Sequence, residues 1–161
     1  MKEGIIVMEK RFYIAYGSNL HLEQMKYRCP TATVVGKSEL MGYKLIFKGA
    51  PTNSYATIEE KEGSTVPVLV WDIKPQDERN LDIYEGYPTF YYKKNIVIEV
   101  EGTAVQAMVY IMNENSKLGI PSQRYYATIQ FGYRTAGFEE RFLREALEYS
   151  KSQTVLNKKD S

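Results

Sequence analysis

The chain has 161 residues, 43% of them hydrophobic and 25% charged, with 21 basic against 20 acidic side chains for a formal charge of +1. That balance suits one soluble globular domain and gives no electrostatic reason to expect nucleic acid or an anionic membrane as partner. No apolar run nears the ~18 residues that span a bilayer, the single Cys29 excludes an internal disulfide, and the single His21 leaves a metal centre short of ligands.

Met1 to Lys10 is an N-terminal extension whose apolar block, Ile5-Ile6-Val7-Met8, is too short for a signal peptide, so the cytoplasm is the expected location. Met8 is an alternative start. Residues 11–151 are expected to form a single domain, and 152–161 a polar, frayed tail. Arg11 to Ala15 predicts a strand, and Asn19 is a good N-cap for a short helix over Leu20 to Tyr27, stopped by Cys29-Pro30. Val34-Val35 and Leu45-Ile46-Phe47 flank a glycine-containing bend, as two strands or one long bent one. Tyr55 to Glu59 and Val66 to Ile73 read as further strands, the second nearly continuous in apolar residues and therefore central.

Pro75 suits the first turn of a helix that runs through Leu81 and Tyr84 to a stop at Gly86, with Asp77, Glu78 and Arg79 on its solvated face. Tyr91 to Val100 and Thr103 to Met112 alternate around Glu101-Gly102, a hairpin signal. Pro121-Ser122 opens a helix with Tyr125, Ile129 and Gly132 on one face, and Phe138 to Lys151 is amphipathic, with Phe142, Leu143, Ala146 and Leu147 inward. Without regular βαβ alternation, the expected class is α+β: a mixed, largely antiparallel sheet forming a small barrel, with helices around it.

Two stretches carry candidate chemistry. Tyr16-Gly17-Ser18-Asn19-Leu20 leaves backbone N–H groups free where a strand breaks into a helix, a ready site for a carboxylate or phosphate. The same residues also read as a capped helix start that needs glycine for its backbone angles. Glu85 ends its helix between Tyr84 and Gly86-Tyr87-Pro88. The negative end of the helix dipole and aromatic neighbours should raise its pKa, as suits a general base that later returns the proton, whereas the bland alternative is a solvent-facing glutamate. Tyr125 is either a core tyrosine or a pocket donor. Arg28 pairs more readily with a surface glutamate than with a ligand carboxylate, Cys29 reads as a small buried hydrophobe, and His21 faces solvent. The 14 tyrosines must be partly buried with satisfied hydroxyls, or line a cleft.

Tyr16-Gly17-Ser18-Asn19-Leu20 after a first strand resembles the signature loop of the γ-glutamylcyclotransferase-like (AIG2-like) proteins. Arg28-Cys29-Pro30, Leu81-Asp82-Ile83-Tyr84-Glu85-Gly86 with Pro88, and Pro121-Ser122-Gln123-Arg124-Tyr125 match later landmarks in the same order. The resemblance runs from Phe12 to Leu147. It implies a small barrel with a cavity over the loop, and a reaction in which the α-amine of a γ-glutamyl group attacks its own γ-carbonyl, releasing 5-oxoproline and an amine or amino acid. It implies no metal or cofactor, with a small γ-glutamyl molecule as partner and a monomer or homodimer as assembly. By the resemblance Glu85 is the proton carrier, amides around Gly17, Ser18 and Asn19 hold the glutamyl end, and Tyr16, Leu20 and Tyr125 complete the pocket. Lys48 to Tyr55 and Tyr87 to Tyr92 match no single subfamily, so dipeptide, amine and ε-lysine leaving groups all stay open. Two alternatives accompany this reading: an enzyme that strips a γ-glutamyl group from a biosynthetic intermediate, and a non-catalytic binder of small carboxylates.

Overall fold

The computed structural model describes residues 10–159, so Met8 and nearly all of the N-terminal extension lie outside the described residues. In chain order the elements are β1 (Arg11–Ala15), a one-turn 3₁₀ segment (Ser18–Leu20), α1 (Leu22–Arg28), β2 (Thr33–Ala50), β3 (Asn53–Ile73), α2 (Pro75–Glu85), β4 (Tyr91–Val100), β5 (Thr103–Met112), α3 (Gln123–Ala136) and α4 (Arg141–Lys159). No helix among them is long and apolar enough to cross a membrane.

The strands form one mixed sheet in the order β2-β3-β1-β5-β4. Only the β1–β5 pairing is parallel, with Phe12 opposite Ala107, and β1 pairs antiparallel with β3, Tyr13 opposite Trp71. As the middle strand, β1 buries Tyr13, Ile14 and Ala15 on both faces, as a strand covered on each side must. The sheet is mixed and largely antiparallel with helices around it, as expected, but it is curled rather than closed. Its two edges, β2 and β4, meet through side chains: Lys94 Nζ donates to the Tyr43 hydroxyl (3.0 Å), and Ser38 Oγ donates to the Glu99 carbonyl. The pairing of β2 with β3 is irregular twice, with register shifts between Val34 and Gly36 and between Met41 and Tyr43.

Several expectations change in detail. Val34 to Phe47 belongs to one long strand, the second of the two readings given for it, whereas Tyr55 to Ile73 is one strand and not the two expected. The polar Glu59–Thr65 stretch stays in β3 because a bulge absorbs its extra residues, with Gly42 (φ +81°) and Gly63 (φ +84°) taking backbone angles that other residues avoid. α1 starts at Leu22, not Leu20: its cap is His21, whose Nδ1 accepts from the Gln24 N–H (3.3 Å), while Asn19 is engaged elsewhere. His21 also stacks on Phe131, with ring centroids 4.8 Å apart, rather than facing solvent. Asp77 leaves the solvated face. Only 1% exposed, it accepts from the Lys74 N–H (2.9 Å) and from Thr31 Oγ1 (2.6 Å), closing the start of α2. α4 continues to Lys159, through most of the expected tail.

The remaining helix ends and the hairpin follow their local signals. Gly86 stops α2 in the left-handed region (φ +65°), and β4 and β5 turn at Glu101-Gly102. Ser122 caps α3, its Oγ accepting from the Tyr125 N–H (3.1 Å). Gly132 lets α3 seat directly on the 3₁₀ turn, since a Cβ there would lie 2.6 Å from Leu20 Cβ. The C-terminal ends of β1 and α2, the start of β4 and the first turn of α3 therefore converge on one spot.

Candidate active site

At that convergence lies a cavity of about 310 Å³, near the small end of the ~300–1,000 Å³ usual for ligand pockets. Of the residues singled out in the sequence, Tyr16, Gly17, Ser18, Asn19, Glu85 and Tyr125 line it together. Leu20 does not. It is fully buried behind the loop against Gly132, so its part is to hold the turn in place rather than to meet a ligand.

The loop is an array of amide donors. Its internal bonds run from the Leu20 N–H to the Gly17 carbonyl (3.0 Å) and from the His21 N–H to the Ser18 carbonyl (3.0 Å). The N–H groups of Gly17, Ser18 and Asn19 have no backbone acceptor among the described residues. These donors belong to a 3₁₀ turn and not to the start of a long helix, so the amides themselves, more than a macrodipole, make the site attractive to an anion. Gly17 is needed for close approach: a Cβ there would meet Ala56 Cβ at 3.3 Å and the Tyr125 hydroxyl at 3.6 Å.

Facing the loop is Glu85, the last residue of α2. Its carboxylate makes no hydrogen bond or ion pair among the described residues, and burial in the cavity wall pushes it up to about 7, with Arg28 pulling the other way. Near neutrality it is thus split between its two forms, the condition under which a carboxyl both takes and gives a proton. The surrounding tyrosines cannot share that work. Desolvation drives Tyr13, Tyr16, Tyr91 and Tyr125 well above their ordinary range, so they stay protonated.

Those hydroxyls are committed to building the walls. Tyr16 donates to the Tyr110 carbonyl (2.7 Å), and Tyr91 donates to the Ala56 carbonyl (2.7 Å). The Tyr125 hydroxyl accepts from the Ala56 N–H (3.0 Å) and keeps its own proton free to donate. Tyr55 and Phe90 stand edge-to-face at the rim, centroids 6.2 Å apart, both partly exposed. Seven of the 14 tyrosines line the cavity, which answers why the chain holds so many.

Arg28 and Tyr84 were not among the expected site residues. The Arg28 guanidinium lies 3.4 Å from the Tyr84 ring centroid and donates to Asn19 Oδ1, so it serves neither a surface glutamate nor solvent. The Tyr84 hydroxyl shares a hydrogen bond with Ser18 Oγ (2.8 Å). Adjacency to Glu85 in sequence is the one signal that pointed to Tyr84. Cys29 is buried with its thiol directed at the Asp77 carbonyl, and desolvation raises it to about 12, so it stays an unreactive thiol.

Comparison with known proteins identifies the family and the fold. Residues 13–127 match the family described as gamma-glutamyl cyclotransferase, AIG2-like. Human gamma-glutamylcyclotransferase is 31% identical over 141 residues, covering 80% of this chain and 73% of the human protein. The mouse gamma-glutamylcyclotransferase is 30% identical, covering 83% of this chain and 76% of its own. A solved gamma-glutamyl cyclotransferase structure superposes with a TM-score of 0.76 at 25% identity, over 86% of each chain.

Proposed function

This chain belongs to the AIG2-like gamma-glutamyl cyclotransferase family of enzymes, and we propose that it cyclises a γ-glutamyl compound to 5-oxoproline with Glu85 as proton carrier. One observation carries the reading: a single uncompensated carboxyl poised near neutrality faces unused amide donors across a small walled cavity.

The glutamyl end of the substrate sits on the amides of Gly17, Ser18 and Asn19, with its chain bent. Glu85 as carboxylate removes a proton from the substrate ammonium. The freed amine attacks the γ-carbonyl carbon, a C–N bond forms, and negative charge develops on oxygen within reach of the loop donors. The protonated Glu85 then delivers that proton to the departing nitrogen, and the second proton that the attacking nitrogen sheds on becoming the lactam N–H ends on the released amine, which leaves as its ammonium. The original γ-amide bond breaks, and 5-oxoproline and the free amine leave. Ring closure needs orientation above all, and a walled pocket with one proton carrier supplies it. Tyr125, with its hydroxyl proton uncommitted, is placed to hydrogen-bond the substrate, while Tyr16 shapes the wall. The leaving group extends toward Tyr55 and Phe90 at the rim.

The test is 5-oxoproline release from γ-Glu-Ala, ε-(γ-glutamyl)lysine and a γ-glutamyl alkylamine by the wild type and by Glu85→Gln. Release by the wild type alone supports the reading, and the preferred compound identifies the leaving group. An active Glu85→Gln protein contradicts it. Tight binding of these compounds with no turnover by either protein would favour a non-catalytic carboxylate binder.

A further inference from the structure

The donor loop and Glu85 come from different parts of the chain, and Arg28, the last residue of α1, connects them. Its guanidinium stacks 3.4 Å from the centroid of Tyr84, the residue just before Glu85, while its Nη1 donates to Asn19 Oδ1. The far end of the Asn19 amide donates to the Tyr13 hydroxyl (2.8 Å), so Asn19 is held at both ends. Ser18 and Tyr84 make a second tie between the same two segments (2.8 Å). The backbone of Arg28 is itself gripped from α2, with Asn80 Nδ2 donating to its carbonyl (3.0 Å). Resting on the reaction proposed above, we propose that Arg28 is a positioning residue: through Tyr84 and Asn19 its guanidinium sets the distance between the amide donors and the carboxyl that moves the proton.

A planar, forked cation is required for this. Lysine has neither a flat face to lie on a tyrosine ring nor a rigid pair of donors. The charge matters as well. The titratable groups around Glu85 are tyrosines: Tyr84 beside it on α2, and Tyr13 and Tyr16 from β1 and its loop, Tyr91 from β4, Tyr110 from β5 and Tyr125 from α3, the last five held neutral by desolvation. Among the described residues Arg28, from α1, is the one ionic group that acts on the Glu85 carboxyl, and it favours the carboxylate.

The experiment compares wild type, Arg28→Lys and Arg28→Gln. It follows the Glu85 carboxyl by ¹³C NMR titration, amide exchange at Leu20 and His21, thermal melting, and kcat and KM for 5-oxoproline release. Arg28→Gln should move the Glu85 titration up by about one pH unit. Arg28→Lys should leave that titration near the wild-type position while speeding exchange at Leu20 and His21 about tenfold, with KM rising by a similar factor. Variants that melt earlier with both titration and exchange unchanged would make Arg28 a plain structural residue and overturn the proposal. Should the wild type release no 5-oxoproline, the reaction falls, and the titration and exchange still decide whether Arg28 ties the two segments.

Discussion

Helix α2 carries two glutamates about two turns apart, and their surroundings drive them in opposite directions. Glu78 is partly buried, which alone would raise its pKa, but hydrogen bonds and charge from Arg11 (2.9 and 3.1 Å) and Lys93 (2.7 Å) outweigh burial and hold it below its ordinary 4.5. Glu85 has burial without such partners and rises to about 7. One helix thus presents a carboxylate that ties α2 to β1 and β4, and a carboxyl left free for chemistry. The difference lies in the partners and not in the residue type, which is why a glutamate in isolation says so little.

The sharpest way to break this comparison is to neutralise each side chain in turn. Glu85→Gln should lower kcat/KM for 5-oxoproline release by about 10²–10⁴-fold, the range of a lost acid–base group, with the circular dichroism spectrum unchanged. Glu78→Gln should do the reverse. It replaces the carboxylate shared by Arg11 and Lys93 with a neutral amide, Lys93 keeping Asp82 (2.8 Å), and should destabilise the fold by about 1–3 kcal/mol in denaturant titrations, with kcat/KM reduced by less than about tenfold.

Next in size is a change that touches the loop but neither glutamate. Gly132→Ala drives a Cβ to within 2.6 Å of Leu20 Cβ and 2.8 Å of the Leu20 carbonyl carbon, so the 3₁₀ turn must shift. Activity should fall by about tenfold or more, and stability by about 1–3 kcal/mol, while Glu85 still titrates where it did. A fully active Gly132→Ala protein would show that the position of the turn matters little.

The smallest effect is in the pH dependence of stability, and its sign differs between the two carboxyls. Because the folded pKa of Glu85 is raised, the native state holds an extra proton between pH 4.5 and about 7. Its buried charge therefore weakens the fold progressively as pH rises through that window, by about 1.4 kcal/mol for each pH unit crossed. Glu85→Gln should then be more stable than wild type at pH 8, by roughly 1–3 kcal/mol, and indistinguishable from it below pH 4.5. For Glu78, with its pKa depressed, the contribution is present at neutral pH and is lost as pH falls below its ordinary 4.5. Equal stability of Glu85→Gln and wild type at pH 8 would mean that the Glu85 carboxyl is better solvated than its surroundings indicate.

Much of this was legible in the sequence because it is written locally. The limits of β1, the end of α2 at Gly86, the β4–β5 turn and the opening of α3 at Pro121-Ser122 depend on a few neighbouring residues, and all were read from them. The cavity gathers residues from both quoted stretches because each sits at an element end that the fold brings together. What stayed hidden was long-range. Asp77 looked solvated because its partner Thr31 lies 46 residues away, and Arg28 looked like the partner of a surface glutamate because nothing nearby announces Tyr84 or Asn19 as its neighbours. The two register shifts between β2 and β3 stayed hidden as well, because a periodicity of two residues cannot reveal where a strand will bulge.

The central claim is that Glu85 moves the proton from a pKa near neutrality. The direct test is the pH dependence of kcat/KM for 5-oxoproline release by the wild type, with whichever γ-glutamyl compound it turns over best. The account predicts an acid limb with its midpoint at about 7, set by the free enzyme's carboxyl. A rate that stays level down to pH 5, or a limb centred near 4.5, would contradict it.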